Sequence, residues 1–230
     1  MIIAIDGPVG SGKSTVGRRL AERLGYRYMD TGAMYRALAW KALKAGIPLD
    51  DAEALTALAE QSEITLAGDA THLRVLIDGE DVTDDIRSPE ISRATSLIST
   101  IAGVRRALVA QQRRIAGEGN VVVEGRDIGT VVFPRADVKF YLDARVEVRA
   151  RRRWEEERAR GRQITLDEVT RQTRERDRRD AEREASPLRP ADDAILIDSS
   201  DLTVDEVVER MMDIIGQRSE RNGIQALQSR

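Results

Sequence analysis

Gly7, Gly12, Lys13 and Ser14 stand in the pattern GxxxxGK[ST], within the stretch Gly7-Pro8-Val9-Gly10-Ser11-Gly12-Lys13-Ser14-Thr15. The chemistry that suits these residue types at this spacing is the grip of a polyphosphate. Glycines let backbone N–H groups turn inward around the anion, Lys13 neutralises the outer phosphates, and the Ser14 hydroxyl is the expected Mg²⁺ ligand. A helix that follows directly adds its free N–H groups and the positive end of its dipole. A Gly-rich loop by itself is also an ordinary turn, so the flanks decide. Ile2 to Ile5 read as a buried strand, and Val16, Leu20 and Leu24 mark one face of a helix.

Three further clusters are placed to act on phosphates. Asp30-Thr31-Gly32-Ala33-Met34-Tyr35-Arg36 sets a threonine at a helix start with an arginine one turn later. That is either a second anion grip or an Asx-type cap beside a surface arginine. Glu124-Gly125-Arg126-Asp127-Ile128-Gly129-Thr130 ends a run of three valines. A carboxylate there, Glu124, is placed to orient Mg²⁺ through water; the plainer alternative is an Arg126–Asp127 pair across a loop. The third cluster runs from Arg145 to Arg189 and holds 15 of the 33 arginines, with acids throughout. Most of it reads as solvated helix surface laced with weak ion pairs. Yet Arg149, Arg152 and Arg153 share one helix face, Arg176, Asp180 and Arg183 another, and Gly161 lies between. Two such helices on a mobile turn would make a lid over a polyphosphate. Ser96 and Arg105 stand beside otherwise apolar helices and mean nothing alone.

These groups need a scaffold, and the hydrophobic pattern supplies one. Strands are expected at 2–6, 26–29, 121–124, 138–142 and 194–197, with helices between them, which is the alternation of a parallel sheet covered by helices. The fold class is therefore α/β: a three-layer, doubly wound sheet of about five parallel strands. Glu63 to Ala67 and Leu73 to Ile77 break the style and read as antiparallel strands, with Asp78-Gly79 as a turn. The last helix is expected from about Val204 to Ile215, followed by a polar tail.

Composition limits the partners. Charged residues reach 33% yet the net charge is only −3, against a dedicated duplex-DNA or anionic-membrane binder. With no cysteine there are no thiolate zinc sites or disulfides. The one histidine, His72, sits in a hairpin-like GDATHLR and is a poor catalytic candidate. No run of 18 apolar residues occurs and the chain starts on a core strand, so the expectation is a cytoplasmic protein. Two anion grips facing each other suggest phosphoryl transfer between two phosphates. A monophosphate acceptor is mostly dianionic at neutral pH, its second ionisation lying near ~6, and needs no general base.

GPVGSGKST, DTGAMYR, IRSPEIS, EGRDIGTVVFP, VKFYLDA and ERDRRDAEREASPL, in that order, resemble bacterial cytidylate kinase, a P-loop nucleoside monophosphate kinase family, from Met1 to about Ile215. The resemblance implies transfer of the ATP γ-phosphate to CMP or dCMP with Mg²⁺. It implies a kinase core at 1–61, 83–150 and 164–215, an antiparallel insert of the CMP-binding subdomain at 62–82, a lid at 151–163 and a tail at 216–230. Gly7 to Thr15 would hold ATP. Lys13, Arg126 and Arg176 would carry catalysis, and Arg152 and Arg153 would close with the lid. Thr31, Tyr35, Arg36, Ser96, Arg105, Arg126, Asp127, Asp180 and Arg183 would bind CMP, with Ser96, Arg105 and Arg183 toward the base, Arg126 on the phosphate and Asp180 on the sugar. Ser14, and Glu124 through water, would hold the metal. The partners implied are ATP and CMP or dCMP, with no nucleic acid and no membrane, and a monomeric state. Val9 and Thr31 stand where the family often has serine, and Glu124 where some relatives have aspartate. Other readings are a different nucleoside monophosphate kinase, of UMP/CMP or adenylate type, or an arginine-rich RNA-binding regulator. The last is weakened by an aromatic content of 3%. A GTPase would need an N-K-x-D sequence, which is absent.

Overall fold

A strand buried on both faces needs an unbroken apolar run, and two segments have one. β1 (Ile2–Asp6) and β6 (Val121–Gly125) pair in parallel at the centre of a five-stranded sheet. The computed structural model describes residues 1–117 and 119–228. Its main sheet has the order β2-β6-β1-β7-β8, with β2 Arg27–Asp30, β7 Val138–Asp143 and β8 Ile195–Asp198, all parallel. The order reverses beside β1, where α/β sheets open a crevice at the strands' carboxyl ends.

The period-two alternation of each strand divides its side chains between two cores. Ile3, Ile5, Val122, Phe140 and Leu142 pack against α1 (Lys13–Leu24) and α8 (Val204–Gln228). Ala4, Met29, Val121 and Val123 face the other way, with Val109 of α5 (Ala102–Ala116) and Ile128 and Val132. A third core joins α2 (Thr31–Lys44), α3 (Ala52–Gln61) and α4 (Pro89–Ile98) to the insert. α4 starts as its sequence dictates: the Ser88 side chain accepts from the Ile91 N–H, and Pro89 occupies the first turn.

The insert is a three-stranded antiparallel sheet, β3 (Ile64–Ala67), β4 (Arg74–Ile77) and β5 (Glu80–Asp81). Asp78 and Gly79 both have positive φ, 50° and 83°, as the primed turn of a tight hairpin requires. α6 (Val146–Ala159) and α7 (Leu166–Glu182) pack against each other, with a turn at Gly161 between them.

Several boundaries differ from the sequence reading. β2 runs one residue later, so Asp30 ends the strand and caps α2. α7 stops at Glu182, which puts Arg183 in extended backbone just beyond the helix, not on its face. α8 continues to Gln228 through the stretch read as a polar tail, while residues 229 and 230 lie outside the described ones. Among the described residues, no helix is long and apolar enough to cross a membrane.

Candidate active site

Strand register sets the site. Asp6 pairs with Gly125 and with Tyr141, Asp30 with Glu124 and Asp143 with Asp198, so the carboxyl ends of β2, β6 and β1 lie within a residue of one another while β7 and β8 run two residues further. The phosphate loop leaves β1 at Gly7, whose φ of 149° and whose absent Cβ are both required: a Cβ there would lie 2.0 Å from the Leu142 carbonyl oxygen. Gly12, at φ 94°, turns the chain into α1. Lys13 begins that helix, and its Nζ donates to the Pro8 carbonyl at 2.7 Å. Two side chains brace the loop from outside. Buried Arg149 donates from Nη1 to the Val9 carbonyl (3.2 Å) and to Asp177 (2.7 Å), and from Nε to the Ala144 carbonyl (2.7 Å). The Ser199 hydroxyl lies 3.1 Å from the Ser11 carbonyl, and Arg152 Nη2 donates to the Ser199 carbonyl at 2.7 Å. Arg152 is thus tied to the core in this conformation. Arg153 also lines the cavity and has no hydrogen-bond partner among the described residues.

Across from the loop, the start of α2 is built by Asp30. Its carboxylate accepts from the Ala33 N–H (2.9 Å) and from Arg36 Nη2 (2.8 Å). The Asx-type cap of the two sequence alternatives is present, and Arg36, paired with the capping carboxylate, lines the cavity. Thr31 Oγ1 donates to the Glu124 carbonyl at 2.7 Å, closing α2 onto β6. Arg105 pairs with Asp127, both buried, and its guanidinium lies 5.6 Å from the Tyr35 ring centroid. Arg126 Nε donates to Asp180 at 3.1 Å. Arg183 Nε donates to the Ser186 carbonyl at 2.6 Å.

One cavity of about 600 Å³ takes in the loop from Val9 to Thr15 together with Thr31, Tyr35, Arg36, Arg105, Glu124, Arg126, Asp127, Arg152, Arg153, Arg176, Asp180 and Arg183. Of the expected residues, Gly7, Pro8 and Ser96 do not line it. Gly7 and Pro8 shape the loop from beneath. Ser96 is buried on α4 with its Oγ accepting from Arg179 Nη1 at 2.5 Å, so α7 already uses the hydroxyl expected to meet a base.

The cavity carries cations short of anions. Burial and the nearby Arg126 bring Lys13 down to about 7, and the same two causes bring Arg176 down to about 9. Burial also lowers Arg153. Arg176 Nε, Arg183 Nη2, Arg105 Nε and the Tyr35 hydroxyl are buried with no hydrogen-bond partner among the described residues. Unpaired buried donors are costly, and here they converge on one space. The carboxylates present serve as positioners. Asp180 is held below its ordinary range because Arg126, Arg176 and Arg183 outweigh its burial.

A divalent cation would find hard oxygen donors. Exposed Ser14 lies against the Glu124 carboxylate, whose Oε1 accepts from the Tyr28 hydroxyl. Burial and the neighbouring Asp30 raise the Glu124 pKa, a cost to its charged form that a cation beside it would offset. Among the described residues no group of three His, Asp or Glu side chains could hold a metal alone. The donor set therefore fits Mg²⁺ completed by phosphate oxygens and water.

Four residues escaped the sequence reading: Asp6, Arg18, Arg179 and Ser199. Asp6 left a trace, since a charge ending a fully buried strand demands a partner. Its two oxygens accept from the Ile128 and Gly129 N–H groups, both at 2.7 Å, and burial lifts its pKa to about 6. Arg18, Arg179 and Ser199 left none, being ordinary helix or loop residues until the fold sets Arg18 on the cavity wall over the Tyr28 ring, Arg179 on Ser96 and Ser199 under the phosphate loop.

A family model described as cytidylate kinase matches residues 3–217. Cytidylate kinases of Desulfitobacterium hafniense and Geobacter sulfurreducens are 50% and 51% identical over 218 residues, covering 95% of this chain and 94% of each of theirs. A bifunctional pantoate ligase/cytidylate kinase of a Synechococcus strain is 51% identical over 225 residues, which is 96% of this chain but only 42% of that protein's length. Among solved structures, a shikimate kinase from Bacteroides thetaiotaomicron has TM-score 0.50 at 13% identity, covering 94% of this chain and 98% of that one. That likeness speaks for the fold.

Proposed function

The chain belongs to the cytidylate kinase family, and on that premise we propose that it transfers the γ-phosphate of ATP to CMP or dCMP, giving ADP and CDP or dCDP. The observation that carries the reading is the cavity itself, in which a phosphate loop with Lys13 faces a second cationic group, Arg36, Arg126 and Arg176, across one space. A phosphate acceptor needs positioning and charge neutralisation more than proton abstraction, and no histidine lines the cavity.

In this reading Gly7 to Thr15 hold the ATP phosphates, with Lys13 on the outer ones. Arg126 and Arg176 bind the transferring and accepting phosphates, and Arg36 helps orient the acceptor. Tyr35, Arg105, Asp127 and Arg183 form the base pocket, because their buried polar atoms match the edge of a cytosine. Asp180 takes the sugar. Ser96 joins only if Arg179 releases it. Arg153 approaches with the lid, while Arg152 braces Ser199 and the loop. Ser14, and Glu124 through water, would hold Mg²⁺, which when bound neutralises phosphate charge. The reading carries with it a cytoplasmic monomer with no nucleic-acid or membrane partner. Only Leu97, Leu196 and Val204 are large apolar residues left exposed among those described, which supports the monomeric part.

A coupled assay of ADP release across CMP, dCMP, UMP, AMP and GMP tests it. Turnover should be fastest with CMP or dCMP. Turnover with AMP or GMP and none with either cytidine nucleotide would overturn the assignment.

A further inference from the structure

Asp6 keeps a carboxylate where one is expensive. It is 3% exposed and forms no salt bridge among the described residues. What it has instead is a pair of backbone donors. Oδ1 accepts from the Ile128 N–H and Oδ2 from the Gly129 N–H, both at 2.7 Å. These are the leading N–H groups of a π-helical turn, Ile128–Val132, and such groups have no partner within their own helix. A carboxylate is the small side chain with two acceptor oxygens and no donor, so it fixes both the place and the orientation of the turn.

The position in the chain gives this bond its meaning. Asp6 directly precedes Gly7, the first residue of the phosphate loop. Ile128 and Gly129 directly follow Arg126 and Asp127. Backbone pairing between β1 and β6 ends at Asp6 and Gly125, so beyond that rung the register passes through the Asp6 side chain. Gly129 is cut to the same contact. A Cβ there would lie 3.0 Å from Lys139 Cδ and 3.4 Å from Asp6 Oδ2. Lys139 cannot easily yield, because its Nζ donates to the Pro134 carbonyl at 2.7 Å and to Asp193 at 2.8 Å.

Resting on the kinase reading above, we propose that Asp6 is a positioning residue for the acceptor: it fastens the Arg126-Asp127 segment to the foot of the phosphate loop and so sets the distance across which the phosphate moves. Donor binding by the loop's own N–H groups does not pass through this link, whereas alignment of the acceptor does.

The test is Asp6→Asn, which keeps the shape but turns an NH₂ against one of the two N–H groups. Initial-rate kinetics with CMP should show kcat lowered roughly 100-fold, the scale of about 1 Å of misalignment, with KM for CMP raised. The dissociation constant of ATP alone, by calorimetry, should stay within about threefold. A variant with unchanged kcat and KM for CMP, even at a lower melting temperature, overturns the proposal. So does a loss of ATP affinity as large as the acceptor's, which would assign Asp6 to the loop. Should circular dichroism show Asp6→Asn unfolded, Gly129→Ala pushes the turn away while leaving the loop sequence intact, and the same split decides. Failure of the wild type on CMP strikes the kinase assignment instead, and the split is then read with whichever monophosphate the wild type accepts.

Discussion

Lys13 rests on the Pro8 carbonyl in a site crowded by guanidinium groups, and this fixes how its charge answers a ligand. Burial first, and Arg126 next, lower its pKa from 10.5 to about 7, so at pH 8 the free protein holds it mostly neutral. Polyphosphate oxygens favour the charged ammonium and raise the pKa again. ATP binding at pH 8 should therefore take up roughly one proton. Calorimetry in Tris and in HEPES reads that uptake as a difference in apparent enthalpy, and equal enthalpies would refute it. Arg183 makes a different case. Its Nε is engaged by the Ser186 carbonyl, but its buried Nη2 has no partner among the described residues. Arg183→Met removes that donor at similar length. A base edge left unpaired costs about 1–3 kcal/mol, so CMP affinity should fall roughly 10- to 100-fold while ATP affinity barely moves. Equal losses for both nucleotides would place Arg183 in the lid or the fold.

Elements differ in how much of themselves the sequence declares. β1, the loop and α1 were legible because three constraints coincide there: a buried run, glycines at positive φ and a helical stripe. The three valines of β6 announced a central strand for the same reason, since only a strand covered on both faces tolerates them. Ends set by tertiary bonds were not legible. α7 carries polar residues past Glu182, yet the chain leaves the helix so that the Leu188 N–H can reach the Asp180 carbonyl and the Ser186 carbonyl can take Arg183. The third strand of the insert is two residues, too short to show a period. The π-helical turn after Asp127 has no sequence pattern at all, because its donors are satisfied by Asp6, far away in the chain. The arginines of α6 show the same gap. Arg149, Arg152 and Arg153 share a helical face in sequence, but depth in the fold makes the first two braces of the loop and leaves the third facing the cavity.

At the scale of the whole molecule, charge is sorted, not summed. The chain is slightly acidic, with net charge −3, while the cavity gathers Lys13, Arg36, Arg126, Arg153 and Arg176. Mutual repulsion of the guanidinium groups is a standing cost of the fold, and on the proposed reading two phosphate-bearing ligands would relieve it from opposite sides. A compound joining adenosine to cytidine through five phosphates would span both grips at once, its second half binding at high effective concentration. Ligand at about 100 times its dissociation constant stabilises by about 2.7 kcal/mol, worth roughly 5–10 °C in melting temperature for a chain of this size. Differential scanning fluorimetry should therefore show a larger rise with that compound than with ATP and CMP together at equal concentration. The diadenosine analogue has the same phosphates and separates charge from base recognition. It should give a smaller rise if Arg105, Asp127 and Arg183 form the proposed base pocket, because adenine presents the wrong edge to them. An equal rise with both analogues would mean that the cations alone carry the binding, and that the second pocket does not select cytosine.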